Sequence, residues 1–234
     1  MEFKKDIHGE IQNFSYWHRK FNQNIGIPDS VLEKNQKVLD KYRNILPDEL
    51  LSLWEKYGFT SFLEGGFYLT NPDDYTQLLK EYLTNTPLAN RDDLYIVVKD
   101  AFGVLYIWEK NKGEIATIDL LVNMVFFSAD VDRKFIMSRE EENLEMSSFL
   151  ALMSLRSIDK KDKNDNMLFQ RCFDKFGRVE SNQMYGYKLL SPLGGEKVIK
   201  NFDKVDLFVY ADIQLSIELP TFSVIDLENM FYGF

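Results

Sequence analysis

The sequence predicts an α+β fold: N-terminal helices with a small antiparallel meander, followed by a smaller, mostly helical α+β domain. Three observations carry this. Through residue 83, apolar residues recur at three- and four-residue spacing behind helix-start signals. Between residues 94 and 118 the period becomes that of strands, with turn residues between three β-branched and aromatic runs. Beyond residue 143 helical spacing returns. Helices set apart from a meander, rather than alternating with parallel strands, define the α+β class.

The elements follow in order. A first helix is expected where Ile11, Phe14, Trp17 (or His18) and Phe21 recur at about helical spacing. Ser30 and Glu33 have the spacing of a capping box ahead of Val38, Leu39 and Tyr42. Pro47-Asp48-Glu49 opens another helix. Proline loses nothing in a first turn, where an N–H has no partner anyway, and carboxylates there meet the positive end of the helix dipole. Leu50, Leu51, Trp54 and Tyr57 are assigned to its inner face and Gly58 to its left-handed stop. Glu64-Gly65-Gly66 reads as a turn and Phe67-Tyr68-Leu69 as a short strand. Asn71-Pro72-Asp73-Asp74 reads as a helix start with Asn71 as cap, and Tyr75, Leu78, Leu79 and Tyr82 as the apolar face.

The meander is Leu94 to Val98, Val104 to Trp108 and Ile115 to Ile118, joined by turns at Asp100-Ala101-Phe102-Gly103 and Asn111-Lys112-Gly113. The charged stretch from Asp130 to Asn143 is the expected boundary, dividing the chain into 1–135 and 140–234. Beyond it, Leu144 to Leu155 reads as a helix, Asp159 to Asn166 as a polar loop, and Met167 to Phe176 as a helix stopped by Gly177. The last stretch reads two ways. Val205, Leu207, Val209, Ala211, Ile213, Leu215 and Ile217 alternate as a strand would, while Val205, Phe208, Val209, Asp212 and Leu215 fit a helix with mixed faces.

Composition narrows the function. With 45% hydrophobic and 28% charged residues in 234, the chain can bury a core and remain globular. Its net charge of -9 repels nucleic acid and suits a basic partner. The lone Cys172 permits no internal disulfide, and Met1-Glu2-Phe3-Lys4-Lys5-Asp6 lacks the apolar core of a signal peptide. The longest apolar run, Leu120 to Phe127, falls far short of the ~20 residues of a membrane span. A cytoplasmic protein with no membrane association is expected.

Catalytic equipment is scarce. His8 and His18 are the only histidines, and their separation matches no zinc motif. Cys172, between Arg171 and Phe173 on a predicted helix, reads as a small core residue. Asp162, Asn164 and Asn166 imitate the start of a calcium loop, but Met167 stands where glycine is needed and Phe173 where a glutamate should close it. Gly65-Gly66 and Gly194-Gly195 are turns, not phosphate cradles. No enzyme activity, metal or cofactor is expected.

One charge pattern stands out. After Lys204 there is no Lys, Arg or His, while Asp206, Asp212, Glu218, Asp226 and Glu228 interleave with Phe208, Tyr210, Phe222, Phe231 and Tyr232. Charge steers a basic partner and aromatics anchor it, so Asp206, Tyr210, Asp212, Glu218, Asp226 and Glu228 are the expected contact residues. The same composition also describes an acidic solvent face over a core element.

The order of motifs resembles a known pair of domains. Leu46-Pro47-Asp48-Glu49-Leu50-Leu51, Trp54-Glu55-Lys56-Tyr57-Gly58, and the run from Gly65 to Tyr75 are similar to the GAD-like (GAD-related) domain, as is Ala101-Phe102-Gly103-Val104-Leu105-Tyr106-Ile107-Trp108. Leu168-Phe169 through Phe176-Gly177, Gln183-Met184-Tyr185-Gly186-Tyr187 and Leu193-Gly194-Gly195 resemble the C-terminal domain of type VI secretion immunity proteins. Together they cover roughly residues 27 to 220. The resemblance implies a stoichiometric inhibitor of a cognate secreted toxin, a DNase, acting in the cytoplasm where the toxin acts. It also favours helix over strand for the last segment, and implies fold-making roles for Trp54, Gly58, Phe102, Gly103, Trp108, Tyr185 and Gly186. The alternative is a non-catalytic binding module for a small ligand or another cellular protein.

Overall fold

The structure, a computed structural model, describes residues 26–128, 131, 136–153 and 159–225. The expected helix around Ile11 to Phe21, both histidines, and Asp226 and Glu228 lie outside the described residues. A seven-stranded sheet forms the centre, in the order β1 (Ser61–Phe62), β2 (Phe67–Leu69), β3 (Leu94–Asp100), β4 (Val104–Glu109), β5 (Gly113–Asp119), β6 (Met124–Ser128) and β9 (Thr221–Ile225). All neighbours are antiparallel except β6 and β9, which run parallel.

The expected meander is therefore the middle of a larger sheet. Met124 to Ser128 extends it on one side. The chain then leaves, and its far end returns as β9 to pair with that strand. The sheet is covered on both faces. Along β4 the side chains alternate: Val104, Tyr106 and Trp108 join one core, Leu105 and Ile107 the other. This is the two-residue strand period with apolar partners on both sides, which explains why β4 reads as an unbroken apolar run.

One face carries α1 (Gln36–Tyr42), α2 (Asp48–Tyr57) and α4 (Arg139–Leu152). The cap of α1 is Asn35, whose side chain accepts from the Val38 N–H at 3.3 Å, not the expected Ser30/Glu33 box. Residues 29 and 32 are held elsewhere: the Asp29 N–H donates to the Ser61 carbonyl and the Leu32 N–H to the Tyr57 carbonyl, both at 2.9 Å. The strand-edge pairing overrides the local box. In α2, Leu50 and Trp54 are buried as expected, while Leu51 and Tyr57 are only half-buried. Gly58 ends it at φ +71°.

A capping box does form at α4. Ser138 accepts from the Glu141 N–H, and the Glu141 carboxylate accepts from the Ser138 N–H. The charged stretch expected as a boundary thus holds the first turn of a helix. Its Phe149 packs edge-on against Tyr106 and Trp108, with centroids at 5.7 and 6.0 Å.

The other face carries α3 (Thr76–Leu83), preceded by a 3-10 turn over Pro72–Tyr75 that Asn71 caps, and then the C-terminal elements. These are α5 (Phe169–Phe176), a separate hairpin of β7 (Gln183–Tyr187) and β8 (Phe202–Asp206), and α6 (Leu207–Ile217). The ambiguous last stretch is strand to Asp206 and helix from Leu207. The switch is Asp206 itself, whose carboxylate accepts from the Phe208 and Val209 N–H groups at 3.0 Å.

Candidate functional site

The outer side of α6 is the most unusual surface of the described chain. Leu207, Tyr210, Ala211 and Gln214 fill its inner side. A helix with one buried side normally turns a polar stripe to solvent. Here Val209, Ile213 and Ile217, four residues apart and so on one stripe, are 56%, 49% and 40% exposed. Leu219 and Val122, at 62% and 49%, continue the apolar surface around a pocket of about 150 Å³ at the end of the helix. Asn123 lines this pocket from the β5–β6 turn, where it holds φ +53°. Next along the chain, β9 occupies the edge of the sheet with Phe222 and Val224 exposed.

The expected contact residues separate by environment. Asp212 and Glu218 are exposed on or beside α6. Asp206 is committed to capping the helix and also accepts from Asn182 Nδ2 at 2.8 Å. Tyr210 is 4% exposed, and burial pushes its phenol above the ordinary tyrosine range. It is a core residue, its ring close to Gly186. Asp226 and Glu228 lie outside the described residues. Sequence reasoning named Val209, Ile213 and Ile217 only for their spacing, not as surface residues, and did not single out Leu219, Val122 or Asn123. The aliphatic repeat at 209, 213 and 217 was the available signal, since the inner side of the same helix was already apolar.

A larger cleft, about 350 Å³, lies where Ser30, Tyr68, Asn71, Asp74, Arg178 and Asn182 meet. Its polar groups bind one another. Arg178 donates to Ser61 Oγ at 2.6 Å and to Tyr68 Oη at 3.4 Å, and Tyr68 donates to the Val179 carbonyl at 2.6 Å. Among the described residues no group of three or more His, Cys, Asp or Glu gathers as metal ligands would.

The buried titratable groups lie deeper. Lys99 Nζ donates to the Gln183 and Glu180 carbonyls at 2.6 and 3.2 Å and lies 4.4 Å from the Tyr68 ring centroid. Burial pulls its pKa down to about 7, against the pull of the Asp100 and Glu180 carboxylates. Burial likewise pushes Asp100 up to about 6 and Cys172 up to about 12. Neither Lys99 nor Asp100 lines the cleft. Lys99 ties the sheet to the 180–183 turn, while the Asp100 carboxylate accepts from the Phe102 and Val104 N–H groups at 2.8 Å and so closes its own turn.

Residues 16–122 match the GAD-like domain, a span that holds α1 to α3 and strands β1 to β5 of the sheet. Residues 143–218, from α4 through α6, match the C-terminal domain of the type VI secretion system immunity protein Tdi1. The two matched regions follow one another along the chain, the GAD-like one first. The crystal structure of Atu4351 from Agrobacterium tumefaciens has the same fold, with a TM-score of 0.73 at 21% identity, covering 84% of this chain and 87% of that one. No curated protein matches the chain. No helix among the described residues is long and apolar enough to cross a membrane.

Proposed function

We propose that this chain is an immunity protein that binds a cognate type VI secreted toxin, a DNase, in the cytoplasm and blocks its active cleft. The match of residues 143–218 to an immunity-protein domain carries this reading. Charge supports it. A DNase must present basic groups to phosphate, and a protein of net charge -9 is attracted to such a surface over long range. The chain acts by covering the toxin, with no chemistry of its own. Specific complexes of this kind bury about 1,600 Å² in total.

The test uses the purified chain and the effector encoded beside its gene. An equimolar dose should abolish cleavage of plasmid DNA, and the two should co-elute. Undiminished cleavage at equimolar dose overturns the proposal. Binding to an effector that cleaves something other than DNA keeps the immunity role and overturns the nuclease assignment.

A further inference from the structure

The seven-stranded sheet ends in an open strand. β9 has β6 on one side and, among the described residues, no strand on the other. Its pairing decides which backbone groups face outward. The Thr221 N–H donates to the Asn123 carbonyl at 3.1 Å, so residue 221 turns its backbone towards β6. Backbone groups alternate along a strand. Those of Ser223 therefore also face β6, and the N–H and C=O of Phe222 and Val224 point away from the sheet. The same two residues carry exposed apolar side chains. Natural sheets guard an open edge with a lysine, a proline or a bulge. Thr-Phe-Ser-Val-Ile has no charge and no proline within it, Pro220 standing just before, and it pairs with β6 without a shift of register.

The open groups define the backbone of an occupant. Two N–H groups and two carbonyls, on alternate residues of one strand, match an extended segment better than a helix or a small molecule. The neighbours define its side chains. Phe222 lies beside Val125 and Val224 beside Phe127, and the Phe222 ring stacks on Phe127 with centroids at 5.7 Å. An added strand continues this row with apolar side chains. Both ends of β9 are acidic. Glu218 is exposed just before it, its main-chain carbonyl accepting from Asn123 Nδ2 at 3.0 Å, and Asp226 follows Ile225 in the sequence. No Lys, Arg or His follows Lys204 to neutralise them from within this segment. An uncharged strand between carboxylates suits a segment with an apolar centre and basic ends. A second copy of this chain, paired antiparallel about Ser223, would set the acidic flank before one strand against the acidic flank after the other.

We infer that the open edge of β9 receives an extended segment of the effector as an eighth strand, with apolar side chains beside Phe222 and Val224 and lysine or arginine at its ends. The inference rests on the proposed immunity function and names the part of the chain that performs it. Main-chain pairing holds the segment, while the apolar row and the acidic ends select it.

The experiment titrates the full chain with the adjacent-gene effector by calorimetry, for the wild type and for Val224→Pro, Val224→Ala, Glu218→Lys and Glu33→Lys. The Val224 N–H faces away from β6, so proline there blocks the edge without breaking the sheet, whereas alanine trims the side chain and keeps the N–H. Glu33 is exposed in a distant part of the sequence and undergoes the same charge reversal as Glu218. Val224→Pro and Glu218→Lys should each weaken binding about tenfold or more at an unchanged melting temperature, Val224→Ala should lose less than the proline variant, and Glu33→Lys should bind as the wild type. Amide exchange of the wild type, read by NMR, gives an independent measure that stands even if the proline variant unfolds: the Phe222 and Val224 N–H groups should exchange fast in the free chain and slowly once the effector is added. Wild-type affinity in a folded Val224→Pro protein, or two amides that stay fast in the complex, overturns the inference and leaves the immunity function standing. Slow exchange in the dilute free chain gives the edge to the chain's own residues, and slow exchange that grows with its concentration gives it to a second copy; either overturns the inference. A wild type that binds no effector overturns both readings.

Discussion

Lys99 offers a test of how the sheet is joined to the C-terminal elements. Its ammonium is fully buried between β3 and the 180–183 turn. In the unfolded chain a lysine holds its proton to about pH 10.5, whereas in the fold burial pulls Lys99 to about 7. Between those values the unfolded chain binds more protons than the folded one. Stability from this group is therefore complete above pH 10.5 and is lost as pH falls through 7. One proton of difference gives a slope of about 1.4 kcal/mol per pH unit. With half-protonation at pH 7, the wild type should gain about 2 kcal/mol between pH 7 and pH 9. Lys99→Met removes the titrating group. It also leaves two carbonyls unpaired and relieves the buried charge, effects that oppose each other, so stability at pH 7 should change little while the slope disappears. Urea midpoints at pH 7, 8 and 9, followed by fluorescence of the buried Trp54 and Trp108, measure this directly. A wild type flat across that range, or a Lys99→Met protein with the wild-type slope, refutes the account.

Three other outcomes follow from single contacts. Glu142 is fully buried and accepts from Trp108 Nε1 at 3.2 Å and from the Asn111 N–H at 2.9 Å, so Glu142→Ala should cost about 3 kcal/mol in urea unfolding, and Glu142→Gln less, because an amide oxygen still accepts. A Cβ on Gly186 would lie 2.5 Å from Val205 Cγ2 and 2.9 Å from the Tyr210 ring, so Gly186→Ala should lower stability by about 2 kcal/mol, read as a lower melting temperature; no change would show that the hairpin shifts freely against α6. The Cys172 thiol, buried and pushed up to about 12, should ignore a thiol reagent at pH 8 in the native protein and react at once in urea; rapid native labelling would show that α5 opens readily.

The parts of the fold legible in the sequence are those with local causes. Strands β4 and β5 announce themselves by β-branched and aromatic runs that begin at Gly103 and Gly113, both of which adopt positive φ. Gly58 and Gly177 stop their helices for the same reason. What stayed hidden depends on distant partners. Asp100 looks like the start of a turn and the apolar run stops at Val98, yet β3 runs on through Lys99 and Asp100, because the carbonyls that receive Lys99 come from residues 180 and 183. Strand β6 lies in an apolar run whose turn begins at Leu120, and nothing near Thr221 reveals that β9 pairs with it. Around α6, the acidic residues were visible as composition. The unsatisfied Asn123 Oδ1 was not, since an orphaned atom is a property of its neighbours in space.

The parallel pairing of β9 with β6 has a consequence for synthesis. Met124 leaves the ribosome long before Thr221, so the flank of β6 that will receive its partner stays bare while the intervening residues are made. A naked strand edge invites pairing with another chain, and the long closure that ends this exposure is slow. Closure of that flank therefore waits on residues 221–225, and a polypeptide stopped short of residue 221 leaves β6, the longer-exposed strand, at the margin that β9 occupies in the folded protein.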